Sequence, residues 1–155
     1  MYAIIKLRGI VGLRPEIKHT LGLLRLHKVN HCAVVEENAY YRGMITVVNA
    51  YVGWGEVSEE ELEELLTTRG RLEGGKRLTE GYIQEQTPYG TIKELAHALY
   101  SGEVAMKDLR EYKIKPLFRL HPPRKGHKGI KLAVKQGGEL GYHGEKINEL
   151  LHKMR

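Results

Sequence analysis

The densest chemistry in this chain lies in Arg124-Lys125-Gly126-His127-Lys128-Gly129-Ile130-Lys131, which packs four cations, an imidazole and two glycines into one short tract. Cations at this spacing suit phosphate oxygens, and glycines let a backbone approach a phosphate closely. The competing interpretation is a solvated loop. It is weakened by the surroundings: from Tyr112 to Gly138 there is no acidic residue, while Lys113, Lys115, Arg119, Arg124, Lys125, Lys128, Lys131 and Lys135 are basic and His121 and His127 lie among them. A tract of that length without one acid points to a polyanionic partner.

Other chemistries fit less well. Gly126-His127-Lys128-Gly129 has the form of the KH-domain phosphate clamp, but that clamp joins two helices and here Pro122 and Pro123 stand just upstream. Neither Gly-Lys-Ser nor Gly-Lys-Thr occurs, which removes a Walker-type loop. For a metal, His27 with His31 or Cys32 is the closest grouping, yet His27 falls near a helix end and His31 opens a strand, unlike a helical His-x-x-x-His pair. His121, His127 and His143 could converge, but neighbouring cations would repel a metal ion and favour phosphate. Cys32 is the only cysteine, excluding an internal disulfide and a multi-cysteine zinc site. It reads as a core residue. No nucleophile with a base and an orienting group can be assembled, so neither catalysis nor a cofactor is expected. Tyr40, Tyr41, Tyr51, Trp54, Tyr82, Tyr89 and Tyr142 could stack on bases, although tyrosines at helical or strand spacing mostly pack.

The elements that must position this tract follow from periodicity. Tyr2 to Leu7 reads as a strand, ended by the Gly9 to Leu13 loop. Pro15 suits a first helical turn, and Ile17, Leu21 and Leu24 share one helix face. Asn30 to Glu36 is a short buried strand. Tyr40, Met44, Val47 and Tyr51 repeat at helical spacing before a third strand near Trp54. The order is β-α-β-α-β. Ser58 with Glu61 and Thr91 with Glu94 form capping boxes, opening helices over Glu59 to Thr68 and from Ile92 to Gly102. Gly70 to Arg77 reads as an exposed loop, and Gly70 to Gln86 carries no recognisable motif. A short helical piece spans Ala105 to Glu111, a strand Leu117 to Leu120, and a last helix aligns Ile147, Leu151 and Met154.

Charge is segregated along this framework. Lys6, Arg8, Arg14, Lys18, Arg25 and Lys28 face only Glu16 before Asn30, and acids gather in Glu56, Glu59, Glu60, Glu61, Glu63 and Glu64. With 25 Lys plus Arg against 19 Asp plus Glu, the net charge is +6, which points to nucleic acid. The length of 155 residues leaves no room for a large catalytic scaffold. No run of about 18 apolar residues appears, and Met1 to Arg8 is too charged for a signal peptide, so a cytoplasmic protein with no membrane partner and no small-molecule substrate is expected.

Ala3-Ile4-Ile5-Lys6-Leu7-Arg8-Gly9, then the run from Leu21 to Cys32, then Tyr41-Arg42-Gly43-Met44, resemble the large-subunit ribosomal protein family numbered thirty. Leu120-His121-Pro122-Pro123-Arg124, Gly126 to Gly129 and Gly137 to Gly141 resemble the extension of its archaeal members, so the likeness covers essentially the whole chain. The resemblance implies an α/β (α+β) fold with a ferredoxin-like β-α-β-α-β core over 1–57, in which helices cover one side of a three-stranded antiparallel sheet. A helical and strand-loop extension over 58–155 packs with this core. It implies a structural role in the large subunit, with large-subunit rRNA and neighbouring ribosomal proteins as partners. The RNA contacts expected on these grounds are Lys6, Arg8, Arg14, Lys28, Asn30 and Arg42 in the core. Arg119, His121, Arg124, Lys125, His127, Lys128, Lys131 and Lys135 are expected in the extension. A free-standing regulatory RNA-binding module, or a small metalloenzyme using His121, His127 and His143, are the rival expectations.

Overall fold

The central strand β1 (Tyr2–Lys6) is buried at every position. Strictly alternating polarity would mark a sheet wet on one face, so an all-buried strand of this kind requires cover on both faces. The computed structural model, which describes residues 1–155, supplies it. Strands β2 (His31–Val35) and β3 (Val52–Glu56) flank β1 antiparallel, with Ile4 opposite Ala33 on one side and Trp54 on the other. Helix α1 (Pro15–Leu23) links β1 to β2, and α2 (Ala39–Val48) links β2 to β3. Tyr2, Ile4, Ala33 and Val35 pack with Leu21, Leu24, Ile45 and Val48 beneath these two helices.

The opposite face, carrying Ala3, Ile5, Cys32 and Val34, holds the larger core. Against it pack α3 (Glu59–Arg69), α4 (Glu80–Gln86), α5 (Ile92–Ser101) and α6 (Ile147–Met154), through Leu62, Leu65, Ile83, Leu95, Leu99, Ile147 and Leu151. Cys32 is fully buried there, and burial pushes its thiol up to about 12. No helix is long and apolar enough to cross a membrane.

Two expectations about the sheet are corrected. It has five strands in the order β4-β2-β1-β3-β5, because β4 (Phe118–Arg119) pairs antiparallel with β2 and β5 (Gly141–Tyr142) pairs parallel with β3. Helices cover both faces. The strand expected over Leu117 to Leu120 is β4, but each added strand pairs through only two residues across a long sequence separation, so no local periodicity announces that it joins this sheet.

The caps are half as expected. Ser58 Oγ accepts the Glu61 amide at 3.2 Å, but the Ser58 amide donates to Asn148 Oδ1 at 3.0 Å instead of to Glu61. The Glu61 carboxylate is buried and lies 2.9 Å from Arg155 Nε, an ion pair whose N–H is poorly aligned for a hydrogen bond. Burial holds the Glu61 carboxyl above its ordinary range, with Arg155 opposing the rise. Thr91 caps the Glu94 amide, and Glu94 reaches back one residue further, to the Gly90 amide. The stretch without a motif contains α4, capped by Thr79 and anchored in the core by Ile83.

Candidate nucleic-acid interface

The basic extension is laid along the rest of the molecule by backbone hydrogen bonds. Leu120 N–H donates to Asn30 O at 3.0 Å, His121 N–H to Met154 O at 3.0 Å, and Arg124 N–H to Lys153 O at 3.1 Å. The tract therefore starts beside the first residue of β2 and passes over the end of α6. Pro123 is buried, and a turn closed by Gly126 N–H to Pro123 O at 2.9 Å leaves Arg124 and Lys125 exposed at its tip. Lys125 there adopts a φ of 70°, a left-handed conformation that costs a side-chain-bearing residue about 1–2 kcal/mol.

Beyond the turn the chain folds on itself. Glu139 N–H donates to Gly129 O and Gly138 N–H to Ala133 O, both at 2.9 Å. A Cβ on Gly138 would lie 1.9 Å from Leu132 O, so only glycine permits this approach. Lys128, Lys131 and Lys135 project from the resulting loop into solvent. The loop returns to the sheet where His143 N–H donates to Trp54 O at 2.8 Å.

The expected contacts separate into three groups. Arg14, Lys28, Arg42, Arg119, Arg124, Lys125, Lys128, Lys131 and Lys135 are exposed. None of them is in an ion pair. Arg8 is half-buried, with its guanidinium 5.1 Å from the Tyr51 ring centroid and Nη1 donating to Ala50 O at 3.3 Å. Lys28, Asn30 and Arg119 come together at one end of the sheet, where Arg119 stands opposite His31. Arg42 lies at the other end, donating to the Tyr2 hydroxyl at 2.8 Å, while that hydroxyl donates to Glu37 at 2.7 Å.

Lys6 is corrected outright. Strand alternation puts it on the same face as Tyr2 and Ile4, where it is 1 % exposed. Its ammonium donates to Leu26 O at 3.0 Å and His27 O at 3.1 Å, holding the turn after α1, and burial lowers its pKa. A cation consumed in this way cannot reach a phosphate. Asn30 is structural as well: it takes a φ of 65° and bonds through its backbone to Lys6 and Leu120.

The histidines are likewise engaged with the protein. His127 Nδ1 pairs with the buried Glu139 carboxylate, which also accepts the Lys128 amide at 3.3 Å. His121 places its ring nitrogens against Pro122 O and Arg155 O, at 2.6 and 2.8 Å. His143 Nε2 lies 2.8 Å from Glu139 O. No group of three or more His, Cys, Asp or Glu side chains is arranged to hold a metal ion.

Sequence reasoning missed one feature. Arg25, Arg110 and Lys115 line a cavity with His27 and Arg119, although more than eighty positions separate Arg25 from Arg110. The docking of β4 against β2 brings in Arg119, and long-range packing of the segment before it brings in Arg110 and Lys115, so no local signal could have found it.

The chain resembles known proteins along its whole length. The profile of the family described as Ribosomal protein L30p/L7e matches residues 2–52. The chain is 56 % identical over all 155 residues to the large ribosomal subunit protein uL30 of Methanothrix thermoacetophila, spanning both proteins completely. It is 51 % identical, again with full coverage of both, to that of Archaeoglobus fulgidus. The chain belongs to the uL30 family. The uL30 profile ends within β3, while the likeness to the archaeal uL30 proteins continues through the extension to the C-terminus. A relative from Methanococcus maripaludis, 48 % identical over 99 % of this chain and 98 % of its own, shows the same full-length correspondence.

Proposed function

We propose that this chain is a non-enzymatic structural constituent of the large ribosomal subunit, acting in the cytoplasm, and that it binds folded large-subunit rRNA beside neighbouring ribosomal proteins. Residues 1–57 serve as the family core, and residues 58–155 as an archaeal-type extension that widens the RNA-facing surface.

The observation that carries this proposal is the run of unpaired, exposed cations from Arg119 to Lys135 on a backbone bonded to β2 and α6. Unpaired cations on an ordered frame neutralise phosphates without first breaking internal ion pairs, and the counterions released drive association. Because the frame has a fixed shape, it suits a folded RNA whose sequence is not read base by base. Arg14, Lys28, Arg119, Arg124, Lys125, Lys128, Lys131 and Lys135 form the phosphate-facing set, with Arg8 and Arg42 at its margins. His121, His127 and Asn30 shape the frame.

Two measurements test the proposal. A tagged copy followed through a density gradient of cell lysate should peak with the large subunit and the whole ribosome, and should survive a moderate salt wash. Recovery only at the top of the gradient would instead make it a free-standing RNA-binding module. With purified protein and transcribed large-subunit rRNA, replacing Arg124, Lys125 and Lys128 by Ala should flatten the logarithmic salt slope by about one per lost phosphate contact.

A further inference from the structure

The cavity missed by sequence reasoning gathers like charges from distant parts of the chain. It encloses about 330 Å3 and is lined by Arg25 and His27 from the turn after α1, by Arg110 and Lys115, and by Arg119 of β4. Glu73 is the only acid on its wall, and none of the four Arg and Lys side chains is in an ion pair.

The fold holds these groups in place despite their repulsion. Arg25 takes a φ of 61° while its N–H donates to Gly22 O at 2.9 Å. Lys115 N–H donates to Arg71 O at 2.8 Å, and Arg119 is fixed by its pairing with His31. Burial and the nearby Arg110 push the Arg25 pKa down, with Tyr41 opposing. His31, paired with Arg119 beside the cavity, is pushed down by burial and by Arg119, His27 and Lys28, against a backbone interaction with Arg25 that raises it. Four cations gathered around a single acid, Glu73, carry an excess of positive charge that an anion would offset.

We propose that this cavity is a phosphate seat, in which Arg25, Arg110, Lys115 and Arg119 together hold one backbone phosphate of folded RNA. The proposal rests on the rRNA-binding function proposed above and adds a defined subsite to it. A protein carboxylate would neutralise one of the four charges and leave the rest opposed. An RNA strand brings further phosphates at close spacing, and guanidinium forks match their oxygens. The seat is also composite, since Arg25 lies in the family core and the other three cations lie beyond it. The core's share of the site is therefore completed only when β4 is docked.

Full-length protein is first titrated with inorganic phosphate at constant ionic strength, chloride making up the balance, while the thermal unfolding midpoint is followed. The comparison is with Arg25→Gln/Arg110→Gln. Wild type should be stabilised by phosphate in a saturable way, and the double variant should respond weakly while melting higher than wild type in chloride alone. Equal phosphate responses, or none in wild type, overturn the seat. A salt titration against transcribed large-subunit rRNA then separates the two proposals. The double variant should lose about one from the log–log slope. A steep wild-type slope that the variant leaves unchanged removes the seat and keeps the rRNA function. Wild-type binding no stronger than to an unrelated folded RNA of equal length removes the rRNA function, while the phosphate titration still decides the seat.

Discussion

Gly55 is the position where β3 meets the segment leading into α6 with least room. A Cβ added there would lie 2.1 Å from Gly144 O and 3.0 Å from Ile147 Cβ. Comfortable carbon contacts begin near 3.5 Å, so the Gly144 carbonyl would have to retreat by roughly 1 Å or more. Two outcomes are open to Gly55→Ala. Releasing α6 would expose Ile147, Leu150, Leu151 and Met154, all buried. At about 1.5–3 kcal/mol each this amounts to roughly 6–12 kcal/mol, comparable with the whole stability of a domain. A strained shift costs less, typically about 1–3 kcal/mol for overpacking, so the shift is the expected response. The denaturation midpoint should fall by the equivalent of about 2–3 kcal/mol with an unchanged m-value. The same shift moves Met154 and Lys153, whose carbonyls hold His121 and Arg124, so affinity for rRNA should drop although no charge has been altered. Gly43→Ala is the opposite control, because Gly43 lies inside α2 with no atom within 4 Å of an added Cβ. It should gain up to about 1 kcal/mol from helix propensity. If Gly55→Ala unfolds with the wild-type midpoint and binds rRNA equally well, the close joint between β3 and α6 is refuted.

Two further outcomes follow from buried polar groups. Lys6→Met should destabilise by about 1–3 kcal/mol, by leaving the Leu26 and His27 carbonyls without their donor, and should not change the rRNA salt slope; a reduced slope would return Lys6 to the interface. Because burial lowers the Lys6 pKa, the unfolded chain holds the extra proton in the interval between the folded pKa and the ordinary 10.5. The wild-type stability measured against Lys6→Met should therefore rise as pH rises through that interval, and a fall would contradict the sign. Cys32, buried with its thiol pushed up to about 12, should resist a thiol reagent at pH 8 in native protein and react stoichiometrically in denaturant. Rapid native labelling would show that the larger core opens.

How much of this was legible depends on how local each signal is. Strands β1 to β3 and helices α1, α2, α3, α5 and α6 declare themselves through apolar spacing, and Ser58 and Thr91 mark helix starts, because those patterns reflect neighbours only a few residues apart. Helix α4 escaped because it is short, contains Gly81, and buries only Ile83, so it has no apolar stripe to detect. The strand over Leu117 to Leu120 was legible and contains β4, but its pairing with β2 was not, and β5 escaped altogether, because an edge pairing of two residues is decided by where the rest of the chain puts them. The capping partners diverged for the same reason. Glu61 meets Arg155, the last residue of the chain, and Asn148 Nδ2 reaches Glu56 O at 3.1 Å across the β3–α6 joint.

The candidate site divides along the same line, and the division explains what kind of residue sequence can nominate as a contact. Charge density drew attention to the tract from Arg119 to Lys135, whose Lys and Arg side chains are all exposed and unpaired. Charge alone could not distinguish Lys6 from Lys28, because the difference is which way a strand residue points and what carbonyls wait there. Nor could it reveal that His127 is partnered by Glu139, twelve positions on and the first acid to follow the basic tract. A basic segment needs an internal anchor if it is to present its cations at fixed positions. The part-buried His127–Glu139 pair and the glycine-permitted return at Gly138 supply that anchor, so some residues that look like contacts in sequence are ones that hold the neighbouring cations in place.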